Sequence, residues 1–147
     1  VWVTKGAEPE TQNLAMVGVN ATADATNRLS VSSDATLLNN AGAGHQVKIN
    51  KAGAGDTASL LYQSGWSGRA EMGLSGNDDF SIKVSADGAN WTTAIGIDGA
   101  NARVRIPQLL HIAPGATPAT AEAGDVYYDS TTNKLRCHNG AAWQDLF

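Results

Sequence analysis

Residues 59–106 read SLLYQSGWSGRAEMGLSGNDDFSIKVSADGANWTTAIGIDGANARVRI, and the alternation inside them decides the fold. Phe80, Ile82 and Val84 alternate with Ser81, Lys83 and Ser85. A period of two sends the three apolar side chains to one face of a strand and the three polar ones to the other. Asp87-Gly88 then signals a turn. Beyond it Trp91, Thr93, Ile95 and Ile97 alternate with Thr92, Ala94 and Gly96, a second Asp-Gly falls at 98–99, and Val104 and Ile106 alternate with Arg103 and Arg105. Three strands joined by two short turns make a β-meander. Both turns contain Asp-Gly-Ala-Asn, at 87–90 and 98–101. Turn signals at such a regular spacing predict an all-β domain of short antiparallel strands, a meander or sandwich.

The composition agrees. Of the 147 residues 42% are hydrophobic, only 16% are charged, and 16 are glycine, which suits short strands, tight turns and closely approaching backbones rather than helices. With so few charges, much of the surface must be neutral and polar, or covered in an oligomer. The net charge of −4, without a basic run, disfavours a nucleic-acid partner, which needs a positive stripe. No apolar run approaches the roughly 18–20 residues that span a bilayer, and no secretory leader is recognisable. The sequence opens on Val1 rather than Met, so we expect a C-terminal piece of a longer protein. Cys137 is alone, so no internal disulfide can form. It is expected as a half-buried small side chain, with His138 pointing to the opposite face of the same strand.

Four segments follow from the rest of the chain. Residues 1–13 read as a linker from a missing upstream part. A main β domain spans 14–112, with candidate strands at Leu14–Val19, Leu29–Val31 and Thr36–Leu38, and another at 108–112. Within it Asn40-Ala41-Gly42-Ala43-Gly44 and Lys51-Ala52-Gly53-Ala54-Gly55 each read as a glycine-rich turn feeding a strand. Neither has the strand–GxxxxGK[ST]–helix context of a phosphate loop. Residues 113–122 form a Pro/Ala/Thr connector, extended and semi-rigid. Residues 123–147 make a three-stranded module, with strands at Val126–Asp129, Lys134–His138 and Ala142–Phe147 and an Asn139-Gly140 hairpin signal. It is too small to fold alone.

Two stretches carry a resemblance. GDVYYDSTTNKLRCHNGAAWQDL, from Gly124, resembles the short C-terminal module of many bacteriophage tail-fibre proteins: a Gly-Asp-hydrophobic-Tyr strand, a Thr-Asn turn, Asn-Gly and a Trp. LSVSSDATLLNNAGAGHQVKINKAGAGDTASLLYQSGWSGRAEMGLSGNDDFSIKVSADGANW, from Leu29, resembles a family of unknown function at the ends of tail fibres in phages, prophages and gene transfer agents of alphaproteobacteria. Together they cover about residues 14–147. The resemblance implies a homotrimeric, host-facing fibre tip on a virion, joined to the rest of the tail fibre, and it brings no catalytic residues. Threefold association would cover strand edges and apolar faces that short strands leave open.

No enzyme signature emerges from the residues. A glycosidase needs two carboxylates flanking the sugar. Glu71, Asp78 and Asp79 are spaced in sequence as solvated turn residues would be. Calcium and zinc motifs are absent, His45, His111 and His138 are scattered, and no cofactor is implied. Sugar binding by stacking is the surviving chemistry. Ser64-Gly65-Trp66-Ser67-Gly68-Arg69 can present Trp66 on a loop, with Arg69, Tyr62, Asn90 and Asp78 to grip hydroxyls. Trp91, in phase with Ile95 and Ile97, is expected in the core, whereas Trp66 fits no alternation and is expected to stand out. Tyr127, Tyr128 and Trp143 are expected to pack the terminal module. The expectation is therefore a non-enzymatic receptor-binding tip that recognises host surface polysaccharide. The alternatives are a purely structural trimerising cap and, less favoured, a polysaccharide depolymerase.

Overall fold

The computed structural model describes residues 12–147, so most of the expected linker lies outside the described residues. Among these the protein is all-β, with no helix and three sheets, as the alternation predicts. The chain divides into two compact units, Val1–Lys48 and Ile49–Phe147.

In the first unit β1 (Val17–Val19) and β2 (Leu29–Val31) form a parallel pair with Val17 opposite Leu29 and Val19 opposite Val31. The loop between them is shaped by Asp24, whose Oδ1 accepts the backbone N–H of Thr26 at 2.7 Å and of Asn27 at 2.6 Å. The Asn27 amide, above all, holds the Asp24 carboxyl below its ordinary value. The strands expected at Thr36–Leu38 and after Gly44 do not form. No neighbouring segment pairs with them, and an extended segment without a ladder has only water for its backbone groups. Leu37 and Leu38 are exposed accordingly.

The second unit holds a five-stranded antiparallel sheet in chain order: β3 (Thr57–Ser64), β4 (Ser67–Ser75), β5 (Phe80–Val84), β6 (Thr92–Ile97) and β7 (Val104–Arg105). Strand β4 was not among the strands expected, although Ala70, Met72 and Leu74 alternate there with Arg69, Glu71 and Gly73. The register sorts the two faces. Leu60, Met72, Ile82 and Ile95 line up across four strands, and Ala58, Leu74, Phe80, Ile97 and Val104 across five. The other face is polar: Ser59, Gly73, Ser81, Gly96 and Arg105 are in one row, and Leu61, Glu71, Lys83 and Thr93 in the next. On it Ser59 Oγ donates to Glu71 Oε1 at 2.7 Å, and Lys83 Nζ to Ser75 Oγ at 2.9 Å.

One expectation about this sheet fails. Ile82 pairs with Ile95 but Lys83 pairs with Thr93, so Ala94 is an extra residue, a β-bulge. A bulge advances the side-chain phase by one. Trp91 is therefore not on the face of Ile95 and Ile97. It lies over Gly68, where a Cβ would come within 2.7 Å of Trp91 Cζ2, half-buried on the polar side.

The apolar face of the five-stranded sheet is open. Among the described residues no large side chain is fully buried, and Leu60, Tyr62, Val84 and Val104 are all exposed.

The third sheet, also in the second unit, has the order β11 (Trp143–Asp145), β10 (Lys134–His138), β9 (Val126–Asp129), β8 (Pro114–Gly115). The first three are antiparallel neighbours. Strand β8, from within the expected connector, runs parallel to β9 at the edge. Proline is tolerated there because an edge strand need not donate on both sides, and the Gly115 carbonyl accepts the Ser130 N–H at 2.9 Å. The strand expected at 108–112 does not form. Its Leu110, His111 and Ile112 instead line, with Pro114, Tyr128, Leu135 and Phe147, a groove of about 460 Å³ against this sheet.

Tyr127, Asp129, Arg136 and Trp143 share the sheet's other face. Tyr127 and Trp143 meet edge to face with ring centroids 4.4 Å apart. Tyr128 points the opposite way, its hydroxyl donating to the Asn133 carbonyl. Cys137 is half-buried on that opposite face, while His138 packs against Trp143 with centroids 5.1 Å apart.

Candidate functional site

Strand direction decides which expected site residues can meet. The β3–β4 turn at 65–66 and the β5–β6 turn at 85–91 lie at one end of the five-stranded sheet. The β4–β5 loop at 76–79 and the β6–β7 turn at 98–103 lie at the other. Strand β4 has nine residues, so the ends are about 30 Å apart.

At the first end stands Trp66. Ser64 pairs with Ser67, leaving a two-residue hairpin loop in which Gly65 has φ 56° and Trp66 has φ 66°. Two successive left-handed residues match the twist of the flanking strands, and Asn-Gly or Gly-Gly are the usual occupants. A bulky side chain at positive φ is an outlier and costs about 1 kcal/mol or more relative to glycine. The indole gains no burial in return, being 93% exposed. Gln63 Nε2 donates to the Trp66 carbonyl at 3.3 Å and steadies the turn.

Arg69 is half-buried beside this hairpin. The register slips between Tyr62 and Gln63, and Arg69 Nη1 donates to the Ala86 carbonyl of the next turn. Ser67 Oγ donates to the Asp87 carbonyl at 3.4 Å, so the two turns abut. Asn90 belongs to the second of them and is occupied there. Its backbone N–H and Nδ2 both donate to Asp87, at 2.8 and 2.7 Å. These bonds, the Asn90 amide first, pull the Asp87 carboxyl far below the usual carboxylate range. The second Asp-Gly-Ala-Asn does the same work: Asp98 accepts the Ala100 N–H at 2.9 Å and Asn101 Nδ2 at 3.0 Å. The eleven-residue echo in the sequence is thus one side-chain device for closing a turn, used twice.

Tyr62 projects on the apolar face, its hydroxyl 3.6 Å from Met72 Sδ, behind the hairpin. Asp78 is not part of this end. It sits in the far loop and pairs with Lys51 Nζ at 2.8 Å. Lys51, its side chain 8% exposed, also donates to the Ala54 and Asn77 carbonyls. It therefore ties the glycine-rich turn at 51–55 to the β4–β5 loop, and Asp78 serves that tie.

The structure adds a cavity of about 410 Å³ on the polar face toward the far end, around Lys83, Gly96, Arg105 and Asp79. Its signal in the sequence is the polar half of each alternation. Among the described residues no three His, Cys, Asp or Glu side chains gather as a metal site. No protein-family model matches the chain, and neither a curated protein nor a solved structure matches it significantly.

Proposed function

We propose that this protein is the tip of a phage-type tail fibre, a homotrimer that attaches the particle to host surface glycans through the Trp66 hairpin. The observation that carries the reading is Trp66 itself. A tryptophan held in solvent, on a turn whose backbone disfavours it, has no stability rationale. Strain of that kind gathers where a side chain must be presented. A bare indole offers a flat apolar face to a sugar ring, and Arg69 beside it has further N–H groups for hydroxyls.

Assembly has its own support. The column through Leu60, Met72, Ile82 and Ile95, exposed at Leu60 and half-buried at the other three, is the natural part to cover. Three copies, on several fibres per particle, would turn weak single contacts into firm attachment. The same open face favours the second reading, a cap that only trimerises the fibre. No pair of carboxylates is assigned to a depolymerase.

Binding of the purified chain to envelope polysaccharide from a panel of alphaproteobacterial hosts decides between the two. Binding that Trp66→Ala weakens about tenfold or more, about 1.4 kcal/mol, is the expected result. Binding to no member of the panel, with an intact trimer, would leave the cap.

A further inference from the structure

We propose that the polar face of the five-stranded sheet carries a second saccharide site, at the end away from Trp66, that takes one neutral, hydroxyl-rich ring. The site is the cavity of about 410 Å³, within the range of small-ligand pockets. Gly96 on β6 is its floor. A Cβ built there meets nothing within 4 Å, so the missing side chain is what opens the concavity between β5 and β7. Lys83 rises from β5, opposite Thr93, and Arg105 from β7, opposite Gly96. They flank the floor from both sides.

The polar groups around it are only partly spent. Lys83 Nζ donates to Ser75 Oγ at 2.9 Å, and among the described residues no carboxylate lies within ion-pair distance of it. Arg105 gives Nη2 to Asp98 at 2.6 Å. Asp79 takes the Gly99 N–H on Oδ1 at 2.9 Å, and its Oδ2 has no hydrogen bond among the described residues. The hydroxyls of Ser81 and Thr93, also in the lining, have none either.

Charge balance selects the ligand class. The cavity holds two cations and two carboxylates, so its formal charges cancel. An anion entering beside Lys83 would meet Asp79 and Asp98, and a cation entering beside Asp79 would meet Lys83 and Arg105. A hydroxyl group avoids both conflicts. It donates to a carboxylate oxygen and accepts from an ammonium or guanidinium, each a charge-assisted bond. Vicinal hydroxyls on a neutral hexose present several such groups at once. The site stands on different residues from the Trp66 hairpin and does not depend on it.

Amide NMR on the full ¹⁵N-labelled chain tests this, titrating glucose, galactose and mannose, with glucuronate and glucosamine as charged counterparts. At least one neutral hexose should give saturable shifts at Ser81, Thr93 and Gly96, with the charged sugars about tenfold weaker. Gly96→Leu, which fills the floor, should weaken that binding about tenfold or more, and Thr93→Val, which only removes the hydroxyl, about threefold or more. Trp66→Ala should leave it within about twofold. The proposal is overturned by no saturable shift with any neutral hexose up to about 100 mM, by tighter binding of a charged sugar, by full affinity in both Gly96→Leu and Thr93→Val, or by shifts confined to the Trp66 hairpin. Attachment to polysaccharide that Trp66→Ala leaves unchanged, with these shifts intact, would sink the hairpin reading alone.

Discussion

In the sheet of β8 to β11 the buried residues, Tyr127 and Asp129, sit in a polar network. Asp129, 3% exposed, accepts the N–H of Thr131 at 2.8 Å on Oδ1 and the Tyr127 hydroxyl at 3.1 Å on Oδ2, and pairs with Arg136 at 3.3 Å. Arg136 donates Nη2 to the Trp143 carbonyl. Its Nε lies 2.9 Å from Asp145 as an ion pair, without the alignment of a hydrogen bond. In the sheet of β3 to β7 the ordered polar row faces one way and an apolar column, exposed at Leu60 and half-buried at Met72, Ile82 and Ile95, faces the other. The first sheet keeps its shape through partners inside its own turns and strands. The second is regular in backbone yet incomplete in burial, so its stability is expected to depend on a surface supplied by other copies.

The sharpest way to break that contrast is a charge on the apolar column. Ile82→Asp should abolish assembly, dropping the mass seen by light scattering from three chains to one at micromolar concentration, because an unpaired carboxylate in an apolar interface costs several kcal/mol per copy. The β8–β11 sheet should keep its Trp143 environment. A wild-type chain that is already monomeric would end the argument for a shared face.

The reverse perturbation is Tyr127→Ala. It removes the ring against Trp143 and the hydroxyl on Asp129, and should cost about 3 kcal/mol, read as early loss of the near-ultraviolet signal of Trp143. Assembly through the Ile82 face should survive. If both are lost together, the two sheets form one cooperative body and the contrast fails.

Acid sharpens the comparison further. The Thr131 amide, first among its hydrogen bonds, lowers the Asp129 carboxyl to about 2. Lys134, first among its partners, lowers Asp145 too. A carboxyl depressed in the folded state stabilises above its unfolded pKa of about 4, and that contribution fades as pH falls through the folded value. The Trp143 signal should therefore hold down to about pH 4 and decay between about 4 and 2. Asp87 and Asp98 are also lowered, by the amides of Asn90 and Ala100 first, so the turns of the other sheet loosen over the same direction of pH. Asp129→Asn should shrink the acid step of the Trp143 signal to the part that Asp145 supplies, and leave the turns of the other sheet unchanged.

The parts legible in the sequence were those set by neighbours close along the chain. Phe80, Ile82 and Val84 announce β5 because alternation is a local property, and Asp87-Gly88 and Asp98-Gly99 announce turns because the bonds that close them span two or three residues. The phase of Trp91 was not legible, since one bulged residue, Ala94, inverts it, and the bulge is defined only against Ile82 and Lys83 of the partner strand. Asp78 is near Trp66 in sequence but not in space, because the whole of β4 runs between them. Reading Arg69 to Leu74 as a strand places the two at opposite ends. Asn90 looked available because its role in closing the Asp87 turn shows only in three dimensions. The exposure of Trp66 was expected for a simple reason: no alternation claims it.

Trp66 also gives the smallest effect and the most discriminating one. In a turn with φ near 56° and 66°, glycine fits both positions without strain. Trp66→Gly should therefore leave the sheet intact and raise its stability by about 1 kcal/mol, measured by denaturant midpoint at unchanged slope. The indole is 93% exposed, so little packing is lost to offset the gain. A structural tryptophan would behave oppositely, since removing it would destabilise. If Trp66→Gly lowers the midpoint, the residue is held by contacts and its display is incidental. If the midpoint rises while attachment to polysaccharide falls, the strain in this hairpin is kept for the surface it presents.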